Sequence, residues 1–146
     1  MIFKVKPKQF NPRFEVVSCF VECDGEILLL HRWPEKSQGN KWGVPAGKIE
    51  PGETPLQAMV RETKEETDVM IDQKDLTYFK KVFVRYPDYD FVYHMFHIQF
   101  TQKPKVTLNP KEHQNFVWVW PRGALLMEIM PDLDACIKLF YEFSRE

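Results

Sequence analysis

The sequence has few cysteines, no long apolar run and no excess of charge of either sign. Three cysteines among 146 residues are too few and too dispersed for a disulfide scaffold or a zinc cluster. Apolar residues never run for 18 positions, and the first residues lack the apolar centre of a secretory leader. We therefore expect a cytoplasmic protein that does not enter a membrane.

The charges balance over the chain as a whole. Lys and Arg total 20 and Asp and Glu total 21, so the formal net charge is −1. A chain this close to neutrality lacks the basic surface that binds long nucleic acid or an anionic membrane. Because 44% of the residues are hydrophobic and 28% are charged, we expect a folded protein, and the length predicts one domain covering residues 1–146.

Strand-like and helical segments alternate along the chain. The pair Asp24-Gly25 stands between two apolar runs, which is typical of a hairpin with a two-residue turn. The predicted strands are 16–22, 26–30, 76–84, 91–100 and 116–120, and the predicted later helices are 122–130 and 132–143. Strands interleaved with helices predict an α/β domain with a mixed sheet.

One helix has a well-defined start. Thr54 is the expected N-cap, Pro55 is the expected first helical residue, and Gln57 completes a Thr-x-x-Gln capping box. Helical spacing then places on one face Leu56, Met59, Val60, Thr63 and Thr67. We expect this face to pack on the sheet.

The same helix concentrates negative charge. Glu62 shares a helical face with Glu65 and Glu66, and an i, i+4 pair of like charges costs an isolated helix roughly 0.2–0.5 kcal/mol. Two interpretations are open. The acids form a solvated face relieved by an Arg61–Glu65 ion pair, or they bind a hard divalent cation, which prefers carboxylate oxygens and also binds phosphate.

The helix and the loop before it resemble the signature of the Nudix hydrolases, enzymes that cleave a nucleoside diphosphate linked to another group. The family pattern is G-x5-E-x7-R-E-U-x-E-E-x-G-U, where U is aliphatic, and it is matched by Gly47, Glu53, Arg61, Glu62, Glu65, Glu66 and Val69. Thr63 replaces an aliphatic residue, and Asp68 replaces the second glycine. The resemblance extends loosely over most of the chain and implies an α/β/α sandwich with a mixed β-sheet.

The resemblance also implies roles for individual residues. The implied metal ligands are the backbone carbonyl of Ala46 and the carboxylates of Glu62, Glu65, Glu66 and Glu112. Glu62 is the first choice for the base that activates water, and Glu112 is the second. An ion pair between Glu53 and Arg61 is expected to hold the loop against the helix and so to orient the ligands.

The substrate-binding residues are less specific predictions. Arg32, Lys48 and Arg85 are candidates for binding phosphate oxygens, and each is otherwise a surface cation. Four aromatic residues either stack on a nucleobase or belong to the core: Phe14, Tyr86, Tyr89 and Phe91. Asp132 is a candidate for reading a base edge, and capping of the last helix is the simpler explanation.

Together these features imply a metal-dependent pyrophosphohydrolase that uses Mg²⁺, with Mn²⁺ as an alternative. A nucleoside triphosphate, ordinary or oxidised, is the favoured substrate, with the monophosphate and pyrophosphate as products. The alternatives are ADP-ribose, nucleotide sugars, dinucleoside polyphosphates, and a non-catalytic module that senses nucleotides. No partner is expected beyond the small-molecule nucleotide, and a homodimer is left open.

Overall fold

The computed structural model describes residues 1–142, which form a mixed sheet of eight strands with helices on both faces. The strands are β1 (Ile2–Phe3), β2 (Pro12–Cys23), β3 (Glu26–Arg32), β4 (Trp42–Gly43), β5 (Ala46–Lys48), β6 (Thr77–Arg85), β7 (Asp90–Phe100) and β8 (His113–Val119). The helices are α1 (Pro55–Thr67), α2 (Pro121–Ala124) and α3 (Leu133–Tyr141), and a short 3-10 turn covers Gln73–Asp75. This is the α/β arrangement that the sequence predicts.

Strand β2 organises the sheet because it pairs with three other strands. It runs parallel to β7 along most of its length, and β7 in turn pairs antiparallel with β6. The C-terminal end of β2 continues into β3 through the predicted hairpin, in which Asp24 and Gly25 both have positive φ. Its N-terminal half pairs with β5, which places the loop before α1 beside the sheet.

The core lies on both faces of β2 and β3. Val17 and Leu28 pack with Met59 on the face that α1 covers, whereas Leu29 packs with Ile137 on the face that α3 covers. All five side chains are fully buried. Strands buried on both faces are apolar without alternation, which explains the continuous run 27–30.

Helix α1 begins as the sequence predicts and ends without glycine. The Thr54 hydroxyl accepts a hydrogen bond from the Gln57 amide, and the Gln57 side chain accepts one from the Thr54 amide. At the other end Asp68 adopts the left-handed conformation, with φ of 59°. Thr63 is fully buried, and its hydroxyl donates a hydrogen bond to the Met59 carbonyl, so this polar group has its partner within the helix.

The prediction of a helix over 122–130 is wrong. Helix α2 ends at Ala124, because the following segment pairs with β4 instead of continuing the helix. The Trp42 amide donates to the Glu128 carbonyl, and the Met130 amide donates to the Trp42 carbonyl. This contact between distant parts of the chain replaces helical hydrogen bonds and has no local sequence signal.

The last helix is shorter than predicted, and its start differs from the expectation. Helix α3 begins at Leu133, and Phe143 lies outside the described residues. Asp132 stands at the N-cap position with φ of 67°, but its side chain makes no capping hydrogen bond. Its carboxylate instead pairs with the Met1 ammonium at 2.8 Å, so the explanation of Asp132 by helix capping is wrong.

Within residues 1–142, none of the helices is long and apolar enough to span a membrane.

Replacing Asp68 tests how much the left-handed conformation of this residue, at the end of α1, lowers the stability of the protein. We expect Asp68→Gly to be at least as stable as the wild type, because glycine adopts this conformation freely and a carboxylate is removed from the negative end of the helix. Both variants lose the ion pair with Lys64, but Asp68→Ala keeps a Cβ atom in the left-handed conformation, so its free energy of unfolding in urea should lie about 1 kcal/mol below that of Asp68→Gly. Equal stability of the two variants would contradict this account.

Candidate active site

Arg61 connects the loop before α1 to the acidic face of that helix. Its Nε and Nη2 atoms donate to the two carboxylate oxygens of Glu53 at 2.7 and 2.9 Å. Nη2 also donates to the Lys48 carbonyl, and Nη1 donates to Glu62 at 2.8 Å and to Glu65 at 3.2 Å. The expected Glu53–Arg61 ion pair is therefore present, and it fixes the loop on the helix through a planar group with five donors.

The Glu62 carboxylate is held against the loop at a point where no side chain fits. A Cβ atom added to Gly47 would lie 2.0 Å from Cδ of Glu62, so glycine is required for this close approach. The Oε1 atom of Glu62 accepts from Arg61. Burial raises the pKa of Glu62, Arg61 opposes that shift, and the neighbouring carboxylates of Glu65 and Glu112 add to it.

Glu66 is the most deeply buried acid of the helix. Its side chain faces the sheet, and Oε1 accepts a hydrogen bond from the Ala46 amide at 2.9 Å. Burial raises the pKa of Glu66 well above its usual range, and the nearby carboxylates of Glu62 and Glu112 raise it further. The fold thus brings three carboxyl groups together and leaves the buried one short of compensating positive charge.

Residues 112–113 reach the site through contacts that fix the loop before β8. The amides of Thr107 and Asn109 donate to the carbonyls of Thr67 and Glu66, which ties this loop to the end of α1. Strand β8 then pairs with β3, with His113 opposite Arg32. As a result Glu66, Glu112 and His113 each present one ligand atom, and these atoms lie within 4.8 Å of one another.

The composition of this cluster fits a divalent cation. Two carboxylates supply the oxygens that Mg²⁺ and Mn²⁺ prefer, and an imidazole supplies a nitrogen. Within residues 1–142, Nδ1 of His113 is the one buried side-chain polar atom without a hydrogen-bond partner. Burial, together with the charges of Arg32, His31 and Lys36, lowers the pKa of His113 to about 4, so the imidazole is neutral at pH 7.

A cavity of about 300 Å³ extends from this cluster to an aromatic wall. Glu66 and His113 line one end of the cavity. The other end is lined by Phe14, Tyr86, Tyr89, Phe91, Tyr93 and Asp132. The rings of Phe14 and Phe91 stack with their centroids 5.5 Å apart. The four aromatic residues for which sequence analysis left both base binding and core packing open therefore form one wall of the cavity.

Four of the five predicted substrate-binding residues line this cavity: Arg32, Lys48, Tyr89 and Asp132. The ammonium of Lys48 lies 4.2 Å from the centre of the Phe14 ring, and the Arg32 Nε donates to the Ser37 carbonyl. Arg85 is not among the lining residues. Its guanidinium is bound by Asp90 at 2.9 Å and donates to the Gln9 carbonyl.

The predicted metal ligands fall into different environments. Glu66 and Glu112 belong to the cluster, and Glu62 lies close enough to both to raise the pKa of Glu66 and to have its own raised by Glu112. Glu65 is about half exposed and contacts Arg61. Ala46 lines the cavity, and the contact that it makes to the cluster is through its amide rather than its carbonyl.

Sequence analysis does not single out His113. No spacing motif connects it to the helix, and a histidine at the start of an apolar strand is ordinarily structural. The signal that could have located it is its position directly after Glu112.

The ion pair between Glu53 and Arg61 predicts a specific acid sensitivity. Hydrogen bonds from Arg61 and from the Glu50 amide lower the pKa of Glu53 from 4.5 to about 2. Because the folded state holds this carboxylate deprotonated, the stabilisation is complete above about pH 4.5 and is lost as the pH falls towards 2. We expect Glu53→Gln to be less stable than the wild type at pH 7 and the two free energies of unfolding to converge at acid pH.

The matched control for this experiment is Glu50→Gln, because Glu50 is exposed and lies 3.6 Å from Arg61. Urea unfolding at a series of pH values gives the comparison. A gap between wild type and Glu53→Gln that stays constant down to pH 2 would show that this carboxylate does not titrate as described.

Known proteins are similar to this chain over most of its length. The NUDIX domain family model matches residues 12–140. A CTP pyrophosphohydrolase of Escherichia coli (strain K12) is 32% identical over 121 residues, which cover 80% of this chain and 83% of that protein. An 8-oxo-dGTP diphosphatase of the same strain is 42% identical over 65 residues, which cover 44% of this chain and 49% of that protein.

Solved structures agree with the sequence comparison. The solution structure of the E. coli ORF135 protein has a TM-score of 0.73 and 29% identity, covering 88% of this chain and 89% of that one. The MutT protein from Methanosarcina mazei Go1 has a TM-score of 0.75 at 24% identity, covering 90% of this chain and 94% of that one, and this likeness shows the fold. The chain therefore belongs to the Nudix family and is a Nudix-type hydrolase of acid anhydrides.

Proposed function

We propose that this hydrolase converts a nucleoside triphosphate to the monophosphate and pyrophosphate, with CTP and 8-oxo-dGTP as the first substrates to test. The observation that carries the proposal is the single cavity that joins the acidic cluster at Glu66 to the aromatic wall. A nucleotide has the matching polarity, with phosphates at one end and a flat base at the other. The two relatives are named for their action on CTP and on 8-oxo-dGTP, which supports the same class of substrate.

A divalent cation would be held by Glu66 and Glu112, with Glu62 beside them. When bound, such a cation supplies positive charge for the phosphate oxygens and for the charge that develops in the transition state. The residues around the cation would hold its carboxylate ligands in position. Arg61 holds Glu62 in place, and the Ala46 amide holds one oxygen of Glu66.

Glu62 is proposed as the base that activates water. Its Oε1 atom is engaged by Arg61, so Oε2 is the oxygen that accepts the proton. The water oxygen forms a bond to one phosphorus of the α–β anhydride while the bond from that phosphorus to the bridging oxygen breaks. Attack on the α phosphorus expels pyrophosphate, and attack on the β phosphorus expels the nucleoside monophosphate. The raised pKa of Glu62 suits this role, because a base works best when its pKa approaches the working pH.

The cavity offers binding groups for the rest of the nucleotide. Lys48 and Arg32 are proposed to bind phosphate oxygens, since both are cations that line the cavity. Phe14 and Tyr89, whose ring centres are 5.4 Å apart, are proposed to stack on the base. Asp132 is proposed to accept hydrogen bonds from a base edge.

A substrate panel tests the proposal. The purified protein with Mg²⁺ should release pyrophosphate from at least one of CTP, 8-oxo-dGTP and the common triphosphates. Release from none of these, together with cleavage of ADP-ribose or a dinucleoside polyphosphate, would show that the triphosphate assignment is wrong while the family chemistry holds. Hydrolysis in H₂¹⁸O identifies the phosphorus attacked, because the label appears in the monophosphate or in the pyrophosphate.

Replacing the proposed base gives the sharpest test of the mechanism. We expect Glu62→Gln to lower kcat by about 10²–10⁴-fold, because the amide cannot accept the proton, while the fold is retained. Glu50→Gln is the matched control, since it also removes one carboxylate near Arg61, but that carboxylate is exposed whereas the Glu62 carboxylate is largely buried. Unchanged turnover in Glu62→Gln would show that another residue is the base.

Two glycine substitutions separate an effect on the site from an effect on stability. Gly47→Ala would push the Glu62 carboxylate from its position, so we expect kcat to fall by about 10²-fold with little loss of stability. At Gly52 an added Cβ meets nothing within 4 Å, but φ is +85°, so Gly52→Ala should lose about 1–3 kcal/mol of stability and keep its activity. Steady-state kinetics and urea unfolding on both variants make the comparison, and similar activities would contradict it.

A further inference from the structure

His113 has a feature that the proposed function does not use. Its side chain is 94% buried, since its exposed fraction is 6%, and its Nδ1 atom has no hydrogen-bond partner within the described part of the chain. A buried polar atom without a partner is destabilising, because it has given up its hydrogen bonds to water and gained none in the protein. Such an atom therefore points to a partner that binds when the protein works.

The ring is placed where a cation would be its partner. One ring nitrogen lies within 4.8 Å of a carboxylate oxygen of Glu66 and of Glu112. Ligand atoms about 2.1 Å from a six-coordinate ion are about 3 to 4.2 Å from each other. The three atoms are thus already near the separations that a single ion requires, and the pairing of His113 with Arg32 fixes the backbone that carries the ring.

The other three histidines are engaged elsewhere. His31 contacts the Asn40 carbonyl and stacks on Trp42. His97 contacts the carboxylate of Glu22 on strand β2. His94 uses both ring nitrogens, one with Glu15 and one with the Tyr78 hydroxyl.

We propose that His113 is a direct nitrogen ligand of the divalent cation held by Glu66 and Glu112, and that it gives this site a preference for Mn²⁺ over Mg²⁺. The inference rests on the proposed function for the presence of the cation and goes beyond it in naming the third ligand. Mg²⁺ is a hard ion that prefers oxygen and gives up its water reluctantly. Mn²⁺ accepts imidazole more readily, so an added nitrogen ligand favours it.

Pulsed electron paramagnetic resonance on the protein with Mn²⁺ alone tests this ligand directly, without substrate or turnover. A coordinated imidazole gives modulation of the Mn²⁺ echo by ¹⁴N. In protein labelled with ¹⁵N only at histidine, this modulation should change to that of ¹⁵N, which identifies a histidine nitrogen without any substitution. We expect the nitrogen signal to vanish in His113→Gln and to persist in His31→Gln, the control at the neighbouring histidine.

Metal affinity provides the second measurement. Competition titrations should show that His113→Gln lowers the Mn²⁺ affinity by about tenfold and leaves the Mg²⁺ affinity nearly unchanged. Equal losses for both ions would overturn the stated preference. The ¹⁵N experiment uses the unsubstituted chain, and because the other three histidines are engaged elsewhere, persistence of the histidine signal in His31→Gln assigns it to His113 even if His113→Gln does not fold.

The results distinguish this inference from the proposed function. Mn²⁺ bound without nitrogen modulation, in a protein that hydrolyses triphosphates, would overturn the role of His113 and leave the function standing. Nitrogen modulation that survives in His113→Gln would also overturn it. Modulation that is lost in His113→Gln, in a protein that cleaves no triphosphate, would support the ligand and refute the proposed substrate class.

Discussion

The site depends on the guanidinium of Arg61, which makes hydrogen bonds to a loop carbonyl and to three carboxylates. Without it, the acids on the helix would repel one another, and the loop before α1 would lose its contacts with Glu53 and the Lys48 carbonyl. Its N–H groups donate hydrogen bonds to Glu53, Glu62 and Glu65, but none of them donates to Glu66. The buried acid is therefore left without an ion-pair partner from Arg61, which suits the cluster to a cation rather than to a closed network of ion pairs.

The sequence predicts those parts of the molecule whose signals are local. The capping box at Thr54 and the turn at Asp24-Gly25 determine the start of a helix and a hairpin by themselves, and both are observed. The end of α2 was not predictable, because the segment that follows pairs with Trp42, some 85 residues earlier in the chain. Arg85 on β6 forms an ion pair with Asp90 on β7. The sequence does not show that this ion pair keeps the Arg85 side chain away from the cavity.

The spacing of the Nudix box identifies the acids, but it does not tell which acid has which environment. Burial separates Glu66 from the half-exposed Glu65, although the two are adjacent in the sequence. The place of His113 in the cluster could not be predicted from the sequence for a different reason. Its contribution follows from the register of β8 on β3 and from the attachment of the preceding loop to the end of α1, both of which are properties of the complete fold.

The hydrogen bonds that attach residues 107 and 109 to the end of α1 have a consequence for folding. The proposed cation ligands come from two segments about 46 residues apart, and the later segment reaches the site through the strands that lie between them. An unfolded or half-folded chain thus has no assembled site, and a cation that binds only the native state stabilises it by mass action. A cation bound by these proposed ligands would couple metal affinity to completion of folding, so that cation availability would adjust how long the native chain persists.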